Sequence, residues 1–485
     1  MRREIRSRLT WPLVARCQQS MMAIAMAMVV WLSSSQVGAV IGQPLIVNID
    51  NPNFRKLNVA IPDFLVEAGA NRETRDLAKR GAAELSRLLN FSSLFSVRSN
   101  DVFEGVLKAK GVTRWEMGQQ NMEGVDVQQW RAVGIESLTL GEAAHDGDTW
   151  TFTLRTIDLG KGEVVVGKRY SKVPKSEVPA VMRRYADLIL KAYTGKSGIF
   201  SSRLVFVGRR ARNAAKQIFI SDFDGTNVQQ ITTENAPHLS PAWSRDGRYV
   251  TYTSFQDGPA EIFLYDTKTG RKSKLTHGPG LSSGSNWGPS DRLIAFTGAH
   301  NGNSEIYVMS PGRRERKMLI SGDGLDVDPT FSPDGKWMAF VSGRYGNPHI
   351  FRASLDWNDE KPRVSEDKRL TFAGWYNATP AWSPESDKLA FAGYDKDINR
   401  FDMFMMNPDG TQLERLTLRA GDNERPSWAP NGQLIVFQSS RGPASEDVKG
   451  TPHLYIMNRD GSGQRILDTG LFEAQQPAWG PQLEQ

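Results

Sequence analysis

Apolar positions follow two rhythms along the chain. Between Arg72 and Asn90 they recur at Leu77, Gly81, Leu85, Leu88 and Leu89, one face of a helix, and between Ser176 and Tyr193 at Val178, Val181, Met182, Tyr185, Ile189 and Ala192, which predicts a longer one. Asp126–Val133 predicts a short helix with Val127, Trp130 and Val133 on one side. Strand-type runs lie around these helices at Leu57–Ile61 and Glu136–Leu140, with a further short candidate at Pro44–Asp50. Trp150–Asp158 alternates and turns at Lys161-Gly162 into Glu163–Tyr170, which predicts a hairpin with one face in water. The first half therefore predicts a small α/β domain, and Thr194–Ser202 reads as a linker.

From Arg203 onward every apolar run is of strand length, and a phrase recurs. Asp328–Ser342 is its clearest copy: a proline two residues before a large aromatic, a tight polar turn, then a short strand. The aromatics are Trp243, Trp287, Phe331, Trp382, Trp428 and Trp479, at spacings of 44, 44, 51, 46 and 51 residues. A period in the forties made only of strands is the pattern of propeller blades. After each turn come a β-rich run (Tyr249–Thr253, Trp337–Val341), a further strand (Ile262–Tyr265, His349–Ala353) and a last strand ending near Leu-Thr, as at Leu275-Thr276 and Leu416-Thr417. Asp-Gly turns such as Asp222–Thr226, Asn407–Thr411 and Asn458–Ser462 supply the positive φ a hairpin needs. The last Pro-x-Trp, Pro477–Trp479, has no strand after it, and the first strand, Arg203–Val207, has no such motif before it. The two predict one composite blade, the C-terminal strand closing the ring and removing its free edges. The fold expected is a small N-terminal α/β domain (residues 40–193), a linker (194–202) and a six-bladed β-propeller (203–485) closed by the C-terminal strand.

The N-terminus changes how the charge is read. Arg2, Arg3, Arg6, Arg8 and Arg16 precede the apolar run Met21–Leu32, and Val37-Gly38-Ala39 offers a cleavage site. Residues 1–39 thus read as a secretory signal peptide, with a retained membrane anchor as the alternative. Of 60 basic and 54 acidic residues, removal of that segment leaves 55 and 53, a net of +2, which argues against a nucleic-acid partner. The single cysteine, Cys17, leaves with it, so the mature chain would carry neither disulfide nor thiolate metal site, and no membrane span.

Motifs for chemistry are weak. Gly280–Gly284 (GLSSG) matches a nucleophile pattern but is flanked by His277-Gly278-Pro279 and Ser285-Asn286-Trp287, without the helix a nucleophile elbow needs. Gly195-Lys196-Ser197 lacks the earlier glycine of a phosphate loop, since Leu190 stands there. Asp222–Gly225 starts like a calcium loop, but Thr233 occupies the twelfth position. The six histidines show no metal-ligand spacing, so no cofactor and no metal are assigned. Asp326 and Asp328 could face a cation in the propeller channel. A hydrolase or lactonase using that channel is the alternative function, and a glycan-binding propeller a third reading.

The stretches just before each Pro-x-Trp read as loops that six-fold repetition gathers on one rim: Ala236–Ser240, Leu281–Ser285, Leu325–Asp328, Gly374–Thr379, Asp422–Arg425 and Glu473–Gln476. Their aromatics and arginine are residue types that anchor protein interfaces. The candidate contact set is His238, Leu281, Ser282, Gly284, Asp326, Val327, Asp328, Trp375, Tyr376, Asn377, Thr379, Asn423, Arg425 and Gln475.

Three features together carry a resemblance: Trp130–Gly141 (WRAVGIESLTLG), the junction Tyr185–Val207 (YADLILKAYTGKSGIFSSRLVFV), and six blades of the Pro-x-Trp-Ser-Pro-Asp-Gly type. In this order they resemble the TolB family, periplasmic propeller proteins of Tol–Pal systems, over essentially the whole mature chain. The resemblance implies a non-enzymatic role in outer-membrane integrity and envelope constriction at division. It implies that the lipoprotein Pal docks on the rim, on loops matching Leu281–Gly284 and Val327-Asp328. The chain departs there, with Leu281 or Ser282 where some members carry histidine. It also implies that TolA engages the segment following signal cleavage, here Leu45, Ile46, Val47, Asn48, Ile49 and Asp50, by strand addition. Other outer-membrane-associated proteins are further candidate partners.

Overall fold

A computed structural model describes residues 55–110, 125–300, 302–358, 361–418, 421–441 and 449–483. The signal-peptide and N-terminal-strand expectations, Leu45–Asp50 included, lie outside these residues. Strands β1 (Leu57–Ala60), β2 (Leu65–Val66), β3 (Phe95–Val97), β4 (Ser137–Asp146), β5 (Thr149–Asp158) and β6 (Glu163–Val173) form one sheet of order β3-β1-β4-β5-β6, with β2 beside β4. Helices α1 (Arg72–Phe91) and α4 (Val178–Thr194) bury Leu77, Leu85, Val181 and Ile189 against one face. Helices α2 (Asn100–Lys110) and α3 (Val127–Ala132) bury Phe103 and Trp130 against the other. Three of the helix ends have a local cause. The Asn71 carboxamide accepts from Thr74 N at 2.7 Å, and Asp126 accepts from the amides of Gln128 and Gln129. Gly195 ends α4 at φ 72°. Helix α2 was not evident in the apolar pattern. The hairpin's wet face lies on β6, where Lys168, Arg169 and Ser171 are exposed, whereas β5 is central, with Leu154 in one core and Ile157 in the other and Arg155 only 8% exposed.

Six four-stranded antiparallel sheets follow. Blade I begins at His238–Trp243, II at Leu281–Trp287, III at Asp326–Phe331, IV at Tyr376–Trp382 and V at Asn423–Trp428. Blade VI begins with the C-terminal Glu473–Trp479, which pairs antiparallel with Arg203–Arg209, with Gln475 opposite Val207 and Trp479 opposite Leu204. Ring closure by the last strand is as the repeat predicted. The stretches before each Pro-x-Trp, expected as loops, are largely these first strands, the innermost of each blade, with Ala236-Pro237, Leu325, Gly374-Trp375 and Asp422 remaining outside them.

The α/β sheet and the propeller share one core. Phe223, in the Asp222–Thr226 turn of blade VI, meets Phe91 edge-on at 4.9 Å and Phe200 at 5.2 Å. The connecting segment is held by Asp187 of α4, whose carboxylate accepts from Phe200 N (2.8 Å), Ser201 N (3.2 Å) and Ser201 Oγ (2.7 Å). Burial pushes the Asp187 carboxyl above its usual range although these donors oppose it. Gly198 passes so close that a β-carbon there would sit 1.9 Å from Asp187 Oδ1.

Candidate protein-binding face of the propeller

Proline has no N–H to give a ladder, so the Pro-x-Trp motif breaks the innermost strand in five blades, and blade II, with Ser285 in the proline's place, is broken at the same point. Pairing shifts register between Leu239 and Ala242, Ser283 and Asn286, Val327 and Thr330, Ala378 and Ala381, Glu424 and Ser427, and Gln475 and Ala478. At each bulge one residue is left-handed: Ser240, Gly284, Asp328, Thr379, Arg425 and Gln476, with φ from 50° to 62°. These six ring the neck of the channel. At five positions the amide donates to a side chain of the preceding blade: Ser240 to Gln476, Gly284 to Thr253, Asp328 to Thr297, Arg425 to Thr379 and Gln476 to Gln438, at 2.7–3.3 Å. Arg425 approaches Asp328 at 4.0 Å. The neck opens into a chamber of about 480 Å³ lined by the motif prolines and indoles.

Two residues earlier in blades I to V, and one earlier in blade VI, the side chain is polar and buried. His238, Ser282, Asp326, Asn377, Asn423 and Gln475 are all at most 7% exposed. Asp326 pairs with Arg344 at 3.1 Å, Asn377 Nδ2 lies 2.9 Å from His349 Nδ1, and Asn423 accepts from Arg441 at 2.9 Å. The Leu-Thr ends belong to this network. Thr232, Thr276, Thr371 and Thr417 each accept, through Oγ1, an amide of their blade's third strand, from Ile218, Ile262, Ile350 and Met403. Burial lowers the His238 and His349 imidazoles, and the Arg369 charge adds to the effect at His349. Ser282, the centre of GLSSG, is thus a buried strand residue. These six candidate contacts do not present themselves to a partner. Gly284, Val327, Asp328, Tyr376, Thr379 and Arg425 are partly exposed, and Leu281 and Trp375 more so, at 39% and 52%.

The exposed pair has company that sequence reasoning missed. Phe255, Leu325, Tyr345, Phe372, Leu418 and Phe472 are also exposed, Phe372 at 76% and Tyr345 at 72%. All eight sit at the start of an innermost strand, between second and third strands, or between a fourth strand and the next blade. In an antiparallel blade these connections emerge on one face. Lys396 lies 4.6 Å over Trp375 and Arg369 lies 5.0 Å over Phe372. Burial pushes the Tyr376 hydroxyl upward, and the Asp328 charge adds to it. The α/β domain meets the opposite face: Arg87 pairs with Asp224 at 2.7 Å, Arg183 with Asp222 at 2.9 Å and Lys196 with Glu385 at 3.1 Å, all on turns of that other end.

Residues 190–483 match the family model of the TolB beta propeller domain. The Tol-Pal system protein TolB of Hydrogenovibrio crunogenus is 38% identical over 395 residues, covering 81% of this chain and 87% of that one. The namesake of Desulfosudis oleivorans is 32% identical over 218 residues, 45% of this chain and 47% of the relative, so that the match spans about half of that relative's length. Among solved structures, the crystal structure of TolB from Acinetobacter baumannii superposes with a TM-score of 0.72 at 26% identity, covering 88% of this chain and 97% of that one.

Proposed function

The chain belongs to the TolB family of propeller proteins, and from that premise we propose that it is a periplasmic, non-enzymatic interaction component of a Tol–Pal system. On this reading residues 1–39 direct export, and residues 40–193, 194–202 and 203–485 are the α/β domain, linker and propeller. Pal docks on the exposed apolar face of the propeller, and TolA engages the N-terminal segment Leu45–Asp50. The complex serves outer-membrane integrity and constriction at division. The observation that carries the Pal assignment is the concentration of exposed aromatic and aliphatic side chains on the face the α/β domain leaves free. Soluble proteins rarely expose such a surface without a partner. Trp375 and Leu281 are the proposed anchors, with Asp328 and Arg425 at the neck supplying charge. The buried polar residues beneath hold the inner strands in place.

Calorimetric titration of the mature chain with the soluble domain of Pal from the same organism tests this. One-to-one binding is expected, weakened about 30-fold by Trp375→Ala, the effect of a buried aromatic anchor. Leu281→Asp is expected to weaken it comparably, with both variants melting like the wild type. Absence of binding removes the Pal assignment, and binding that neither variant weakens moves it off this face.

A further inference from the structure

A second surface lies at the other end of the blades, on the outer side of blade II. A cavity of about 710 Å³ opens between blades I and II beneath the tip of the blade III hairpin, where Pro362 closes it. Its floor is apolar: Trp287 stacks on Tyr249 at 6.2 Å and 15°, beside Leu264, Leu293 and Met309. Its rim is cationic. The turn Arg313-Arg314-Glu315-Arg316-Lys317 leads into the outermost strand, Arg316–Ile320, and Arg313, Arg316 and Lys317 line the opening. Among the described residues none of Arg313, Arg314, Arg316 and Lys317 forms an ion pair; Arg316 lies over Tyr307, and Lys317 reaches only the Pro362 carbonyl at 3.5 Å. The nearby carboxylate of Asp291 is already engaged, accepting from Arg245 N at 2.6 Å and Asp246 N at 2.8 Å. The strand Arg316–Ile320 pairs on one side only, and Met318 on it is 47% exposed.

We propose that this pocket is a docking site for an extended acidic peptide segment that carries one apolar anchor. The volume suits one large side chain and its flanking backbone. The unpaired cations offer carboxylates charge-assisted hydrogen bonds, and their excess over Glu315 fixes the sign of the partner. The free edge of Arg316–Ile320 can accept the backbone of an extended segment as an added strand. A flat membrane surface fits less well, because the apolar groups lie at the bottom of a cavity and not at an exposed tip. The site is independent of the Pal-binding face, being formed by connections of the opposite end.

Fluorescence anisotropy with the mature chain and a dye-labelled peptide of six glutamates around a single central tryptophan tests it. Saturable binding is expected, falling about ten-fold or more between low and high salt as screening predicts, and about ten-fold or more in the exposed double variant Arg313→Glu, Arg314→Glu. A glutamate-only peptide is expected to bind at least about ten-fold more weakly, since burying the anchor supplies the apolar contribution. No saturable binding, or binding the charge reversal leaves unchanged, overturns the proposal; equal binding of the anchorless peptide overturns the pocket's part in it. Sedimentation with anionic lipid vesicles, lost in the double variant while the peptide fails to compete, would reassign the patch to a membrane.

Discussion

His238 and His349 make the propeller sensitive to pH just below neutrality. His238 is fully buried, with Glu234 3.4 Å from its Nε2, Lys272 held by the same carboxylate and Tyr252 edge-on at 5.5 Å. His349 faces Thr371 and Asn377, with the Arg369 charge beside it. Both imidazoles are held below the ordinary value of 6.5, so the folded chain binds fewer protons than the unfolded chain once pH drops under that value. Their stabilisation is complete above about pH 6.5 and is lost progressively as pH falls toward the lower folded values. The urea midpoint is therefore expected to decline between about pH 6.5 and 5. In the double variant His238→Gln, His349→Gln the decline should be visibly shallower, although the variant starts less stable at neutral pH. An unchanged slope would assign the acid sensitivity to other groups.

The motif aromatics act at the scale of the blade, as clamps between neighbours. Trp382 Nε1 donates to Thr330 O at 3.1 Å and Trp428 Nε1 to Ala381 O at 3.0 Å, each on the preceding blade. Trp479 donates instead to Ser202 Oγ at 2.8 Å, tying the closing strand to the segment that leaves the α/β domain. Trp479→Ala is expected to cost about 3–5 kcal/mol in urea unfolding, the range for removing a buried indole. It should also open residues 195–202 to limited proteolysis, which Trp382→Ala should not. The repeat, the closing strand and the helix faces were legible because each is a local pattern with a fixed period. The innermost strands were not, for two reasons: a left-handed residue, joined in five blades by a proline, interrupts each, and buried positions such as Asp326 and Asn423 are polar because they bond within the propeller. Trp375 stood out as an aromatic in a polar stretch. Phe255, Tyr345, Phe372 and Phe472 did not, since they are scattered across more than two hundred residues and only ring closure brings them to one face.

At the scale of the whole molecule, what matters is whether the α/β domain and propeller unfold together. Their contact is partly ionic, through Arg87–Asp224 and Arg183–Asp222, and Arg465 donates to Phe91 O at 2.7 Å while lying 4.8 Å over that ring. In both pairs the aspartate is largely buried, so desolvation offsets much of the attraction. The apolar contact through Phe223, with no exposed surface and with Phe91 and Phe200 on either side, should dominate. Phe223→Ala is accordingly expected to cost about 3–5 kcal/mol. Its location makes a second consequence separable from the first. A cavity inside either unit alone would lower one cooperative transition, whereas a cavity in the shared core weakens the coupling between two units that each retain their own core. Scanning calorimetry should therefore resolve the single transition of the wild type into two in Phe223→Ala, the α/β domain melting first because it is the smaller unit. A single, merely lowered transition would mean that the ion pairs and the Asp187-held linker suffice to keep the two units cooperative.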